Sequence, residues 1–189
     1  MKELSLNILD ISQNSLKAGA KNVSICLDEI TEQNTLKLEI SDDGCGMSAE
    51  MVSNVTDPFC TSRKTRKVGL GIPLLKLAAE QTGGYLSIVS KHESEYPDNH
   101  GTVVTAVFRT DSIDFTPLGD IISTLVTIIQ GHPEVDYLYS HRTSKGEIRL
   151  DTKEMREILG DDISLSDFEV LEWIKNYLEE SYKEILKIM

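Results

Sequence analysis

The stretch Asp42-Asp43-Gly44-Cys45-Gly46-Met47 decides how the rest of the chain is read. It follows an alternating run at 35–41, which places it as a tight turn at the end of a strand. Two glycines separated by one residue let the backbone pass close to a flat ligand, and a carboxylate beside them can accept a hydrogen bond from an exocyclic amine. Asp-Gly is also ordinary turn chemistry, so the segment gains meaning from what stands before and after it. An EF-hand calcium loop is excluded, because its acid spacing and closing glutamate are absent.

Upstream, residues 3–18 place Leu4, Ile8 and Ile11 at helical spacing, with Leu9 and Leu16 beside them, and Gly19 supplies the stop. Asp10 and Asn14 share a face of this helix with Glu3, Asn7 and Lys17. The Asn14 amide oxygen suits Mg²⁺; the plainer reading of the face is a solvated polar stripe. A strand follows at 22–29.

Downstream, Ser48 reads as the N-cap of a short helix to about residue 55, and a loop spans 56–68. Gly69-Leu70-Gly71-Ile72 then leads into a helix that carries Pro73 in its first turn and is closed by Gly83-Gly84. Glycines before a helix start expose N–H groups and the positive end of the dipole to an anion. Arg63-Lys64-Thr65-Arg66-Lys67, four positive charges in five residues, is too short for a nucleic-acid platform and suits a polyphosphate. Strands at 85–91 and 102–109 complete the pattern, the second opened by Gly101-Thr102. Helices and strands in this order describe an α+β fold, a two-layer α/β sandwich with helices on one face of a sheet.

After residue 110 the pattern changes to a helix at 117–130, a hairpin of strands 135–142 and 147–151, and helices at 152–159 and 167–189. This divides the chain into a domain at 1–110 and a small α/β region at 111–189. Leu171, Ile174, Leu178, Ile185 and Ile188 form a stripe on the last helix, read either as packing within the region or as a homodimer contact. Of the net charge of −12, residues 111–189 carry −9, with 8 Lys/Arg against 17 Asp/Glu, which argues against nucleic acid as a partner. No apolar run approaches the ~20 residues of a membrane helix, and the start does not open a signal peptide, so a cytoplasmic location without membrane contact is expected. Three cysteines without a CxxC pair exclude a disulfide framework and a zinc finger.

The motifs taken in order resemble the Bergerat-fold ATPases, the superfamily of gyrase, chaperone ATPases, histidine kinases and mismatch-repair ATPases. The run from Gln13 to Ala20 followed by Asp43–Met47 resembles the mismatch-repair branch. Asp57-Pro58-Phe59-Cys60-Thr61-Ser62 through Ile72, then Gly83-Gly84 and Gly101-Thr102, resembles the histidine-kinase branch. The resemblance implies ATP and Mg²⁺ as ligands, with Asn14 holding the metal and Asp42 recognising adenine beside Gly44, Gly46 and Met47. It makes 57–68 a lid whose Arg63 and Lys64 meet phosphate, Gly69 and Gly71 its phosphate-contacting hinge, Leu70 and Ile72 ATP-binding residues beside them, Thr102 a hydroxyl near adenine, and Lys17 a phosphate contact as in histidine kinases. Hydrolysing members have Glu at the position of Asp10 as general base on water; the aspartate carboxylate sits ~1.5 Å further back, and a misplacement of about 1 Å can cost on the order of 10²-fold in rate.

Two functions follow from the resemblance. One is a cytoplasmic Mg-ATP-binding regulator with a nucleotide-gated lid, a protein partner and slow or no hydrolysis. The other is a kinase of a separate protein, as in stand-alone anti-sigma kinases. A self-contained histidine kinase is not expected, since no phosphoacceptor histidine precedes the first helix and His141 lies in a hairpin.

Overall fold

The computed structural model describes residues 3–56, 70–160 and 162–187. In chain order the elements are α1 (Leu4–Lys17), β1 (Asn22–Ile30), β2 (Thr35–Asp42), α2 (Ala49–Val55), α3 (Gly71–Gln81), β3 (Tyr85–Lys91), β4 (Gly101–Arg109), α4 (Ile121–Gly131), β5 (Asp136–Thr143), β6 (Gly146–Asp151), α5 (Thr152–Leu159) and α6 (Phe168–Lys187). The six strands form one sheet in the order β3-β4-β2-β1-β5-β6. Neighbours are antiparallel except β1 and β5, which run parallel with Val23 beside Tyr137 and Ile25 beside Tyr139.

Strand alternation sets the layers. Val23, Ile25 and Leu27 of β1, Leu36, Leu38 and Ile40 of β2, and Val104, Ala106 and Phe108 of β4 are buried on one face. Leu4, Ile8 and Ile11 of α1, Leu75 and Ala79 of α3, Leu125 and Ile128 of α4, and Ile174 and Leu178 of α6 join them in a single core. Tyr139 of β5 and Leu150 of β6 belong to the same cluster, so the sheet and its core run through the residue-110 boundary, which itself falls between β4 and α4. The stripe on α6 is accordingly buried within the chain at Leu171, Ile174 and Leu178. Among the described residues no helix is long and apolar enough to cross a membrane.

Two readings of the sequence are corrected. The helix expected from residue 117 begins at Ile121, with Asp120 as its N-cap accepting a 2.9 Å bond from the Ser123 N–H. The preceding segment anchors α1 instead, because the Pro117 and Leu118 carbonyls accept from the N–H groups of Leu4 (2.9 Å) and Ser5 (2.8 Å) at the start of that helix. Gly119, at φ +74°, lies so close to Glu3 that a Cβ would collide with its side chain. Asn7, in turn, is buried, 2% exposed, rather than part of a solvated stripe.

Candidate functional site

Two clusters of sequence-predicted residues meet along α1. The first lies at the end of β2. Register places Asp42 opposite Thr102 and Thr102 opposite Ser90, so one row of polar side chains crosses β2, β4 and β3 on the helix-covered face. The row continues columns that are otherwise apolar: Ile40, Val104 and Ile88 stand one step along each strand. Asp42 is held at both oxygens. Oδ2 accepts a 2.6 Å hydrogen bond from the Ser15 hydroxyl of α1, and Oδ1 accepts one of 3.0 Å from the Gly44 N–H.

The neighbouring Asp43 serves structure instead. Its carboxylate accepts from the Asn22 side chain (2.7 Å) and from the backbone N–H groups of Asn22 (2.9 Å) and Lys21 (2.7 Å). Partial burial raises its pKa, but these hydrogen bonds outweigh burial and hold the carboxyl below its ordinary range. Gly44 packs on the C-terminal end of α1, where an added Cβ would lie 2.8 Å from that of Ala18, and the Cys45 N–H donates to the Ala18 carbonyl at 2.9 Å. Gly46 has φ +68° and faces the Lys91 carbonyl so closely that no side chain fits. The Met47 N–H donates to Ser90 Oγ at 2.7 Å, and Ser90 lies 2.8 Å from Thr102 Oγ1. His100 Nδ1 lies 2.6 Å from the Gly44 carbonyl and donates to it.

The second cluster lies one residue away on α1. Asp10, Gln13, Asn14 and Lys17 line a pocket of about 180 Å³ with Leu9 and Gly71, the first residue of α3. Gly71 backs directly onto Asp10: a Cβ at 71 would lie 2.9 Å from the Asp10 Cβ. The N-terminus of α3 therefore meets the face of α1 that carries Asn14, an amide oxygen, and Lys17, a cation. That combination suits a phosphate chain. Among the described residues no group of three or more His, Cys, Asp or Glu side chains could hold a metal by itself. A cation here would take the Asn14 oxygen together with ligand oxygens, the manner of Mg²⁺.

Not every predicted residue joins these clusters. Ile72 is a core residue, 5% exposed, whereas Leu70 projects to solvent at 57%. Arg63, Lys64, Gly69 and the rest of the expected lid lie outside the described residues. The structure adds Ser15, Ser90 and His100, which motif spacing does not single out. The first two carry a signal in the sequence: Ser15 follows Ile8 and Ile11 on the core face of α1, and Ser90 follows Leu86 and Ile88 on one face of β3. His100, in the β3–β4 loop, has none.

Comparison with known proteins agrees with this fold and motif order. The sequence profile of the family described as histidine kinase-, DNA gyrase B-, and HSP90-like ATPase matches residues 2–112. An uncharacterized sensor-like histidine kinase of Rhizobium meliloti is 29% identical over 110 residues, 56% of this chain and 20% of that protein. The sensor protein KdpD of Clostridium acetobutylicum is 30% identical over 96 residues, 48% of this chain and 10% of its own length. This chain thus spans a fifth or less of these curated relatives. Among solved structures, the Aquifex aeolicus MutL ATPase domain complexed with ADP superposes with TM-score 0.53 at 13% identity, covering 84% of this chain and 69% of that one. The N-terminal domain of a DNA repair protein gives 0.55 at 16%, covering 85% and 58%.

Proposed function

The chain belongs to the histidine kinase-, DNA gyrase B- and HSP90-like ATPase family, and from that premise we propose that it is a cytoplasmic Mg-ATP-binding regulator that hydrolyses slowly or not at all. In this reading residues 1–110 hold the nucleotide, 57–68 close over it, and that closure changes a contact with a protein partner. The observation that carries the proposal is the arrangement around α1. Ser15 aims Asp42 from one side, while Asn14 and Lys17, within two residues of it, line the pocket at the N-terminus of α3. A nucleotide laid along this helix sets its adenine amine on Asp42, with Gly44 and Gly46 giving the base room, and its phosphates beside Asn14, Lys17 and Gly71. Thr102 and Ser90 close the adenine end. Mg²⁺, when bound to Asn14 and the phosphates, neutralises phosphate charge.

Asp10 supports slow turnover. It is exposed and stands one carbon short of the glutamate that hydrolysing members of the superfamily carry at this position, while Gly71 packs against its Cβ. A second reading, phosphoryl transfer to a separate protein, is favoured by Lys17, which shares the Asn14 pocket and matches a lysine that histidine kinases use on phosphate. Incubation with γ-labelled ATP and Mg²⁺, with and without cell extract, separates the two. Little free phosphate and no labelled protein supports the regulator; a labelled protein supports the kinase; rapid phosphate release overturns both. Calorimetry on Asn14→Ala accompanies it, with loss of Mg-dependent ATP binding as the expected result.

A further inference from the structure

The C-terminal region carries a surface that the nucleotide site does not use. Between α5 and the start of α6 runs an open apolar groove of about 840 Å³. Its walls present large side chains to solvent: Ile158 is 85% exposed, Phe168 77% and Trp173 53%. Trp173 is held flat against Tyr177, with centroids 5.2 Å apart and planes at 4°, and Tyr177 is fixed by a 2.9 Å bond from its hydroxyl to the Arg149 carbonyl. Exposed aromatic and aliphatic side chains collected at one place mark a contact surface.

Charge says what covers it. Residues 154–172 contain seven carboxylates and a single cation, Arg156. That cation is engaged inward, by Asp136 at 2.7 Å and by the Pro133 and Val135 carbonyls. Asp167 and Glu169 line the groove, and the exposed Glu157, Asp162 and Glu172 are the chain neighbours of its lining residues Ile158, Ile163 and Trp173. A second copy of this chain would bring the same acidic rim against its like, and an anionic lipid or nucleic acid would be repelled equally. We infer that the groove is a docking site for a basic amphipathic helix of a partner protein, its apolar face seated against Ile158, Phe168 and Trp173 and its Lys/Arg flanks on the acidic rim. This goes beyond the nucleotide reading and does not depend on it.

Trp173 is the sole tryptophan of the chain, so its fluorescence reports occupancy directly. The full chain is titrated with three 18-residue peptides: an amphipathic Leu/Lys helix, its Leu/Glu counterpart with the same apolar face, and a Lys/Ser peptide without one. The Leu/Lys peptide is expected to shift Trp173 emission to the blue saturably, at least tenfold tighter than either control, and to weaken as salt rises. Phe168→Glu and Ile158→Glu, both at exposed positions, should each weaken it about tenfold with an unchanged melting curve. Equal binding of the Leu/Glu or the Lys/Ser peptide, or no binding of any, overturns the inference. So does sedimentation showing a dimer that Phe168→Glu converts to monomer, since a second copy then covers the groove, or a Trp173 shift on vesicles of anionic phospholipid.

Discussion

Ser15 and Asp42 are 27 residues apart in sequence and joined by a 2.6 Å hydrogen bond, hydroxyl to carboxylate Oδ2. The bond fixes the plane of the carboxylate from the core side of α1, so that its outward lone pairs are aimed before any ligand arrives. Ser15→Ala should leave the fold intact and weaken ATP binding about three- to tenfold, the worth of one hydrogen bond at ~1 kcal/mol. Calorimetry with Mg-ATP measures it; an unchanged affinity would mean that Asp42 needs no help in its orientation.

Adenine selection follows from the same carboxylate. Guanine presents a carbonyl where adenine presents its amine, and two acceptors facing each other in a desolvated site cost roughly 1–3 kcal/mol, so ATP should bind about tenfold or more tighter than GTP. Competition between the two nucleotides checks this. Equal displacement would reduce the Asp42–Gly46 segment to a turn.

The sequence made much of this site legible, and the register of the sheet explains why. The glycines of 42–47, the Asn14 face and the α3 N-terminus are each written in local spacing, and their order along the chain identified the fold. What local spacing cannot carry is the choice between adjacent acids. Asp42 and Asp43 read alike, and only the alternation of β2 sends Asp42 to the helix-covered face, while Asp43 turns to Asn22 and Lys21. Pro117–Asp120 is illegible for a related reason: its position before an apolar run suits a helix start, but the Pro117 and Leu118 carbonyls are taken by the first N–H groups of α1, a partner more than 110 residues away.

Gly46 is a packing requirement as well as a conformational one. With φ +68° and the Lys91 carbonyl where a Cβ would stand, Gly46→Ala must push β3 away from the loop. A loss of at least ~2 kcal/mol is expected, a drop in Tm of about 4–8 °C for a chain of this size. Thermal denaturation followed by circular dichroism tests it, and an unchanged Tm would refute the close approach.

The basic run can be probed by its own cleavage sites. Arg63, Lys64, Arg66 and Lys67 are tryptic positions, and four like charges gain an anionic partner when a triphosphate binds. Mg-ATP should slow cleavage there more than Mg-ADP, which lacks the γ-phosphate. Identical digestion with ATP, with ADP and without nucleotide would separate the run from the nucleotide site.

At the seam between the sheet and α6, His141, 4% exposed, bridges two elements. Its Nε2 lies 3.0 Å from Glu29 Oε1 of β1 and its Nδ1 2.9 Å from the Tyr182 hydroxyl of α6, which in turn meets the Tyr139 hydroxyl at 2.5 Å. The hydrogen bond from His141 holds the Glu29 carboxyl below its ordinary value of 4.5, against the opposing pull of partial burial. Burial pushes Tyr182 up to about 12, so it stays neutral and available as a donor across the working range. Because the folded-state pKa of Glu29 is depressed, its contribution is fully present above about pH 4.5 and is lost as pH falls through the folded value. Urea unfolding between pH 7 and pH 3 should therefore show a midpoint that declines below pH 4.5 less steeply in Glu29→Gln than in the parent chain. The effect will be small, since the Glu29 side chain is 47% exposed. Tyr182→Phe acts at neutral pH instead, leaving the His141 nitrogen and the Tyr139 hydroxyl without their shared partner at a cost of about 1–3 kcal/mol. Parallel acid profiles for the parent and Glu29→Gln would show that the carboxylate does not contribute to the seam, whatever the tyrosine does.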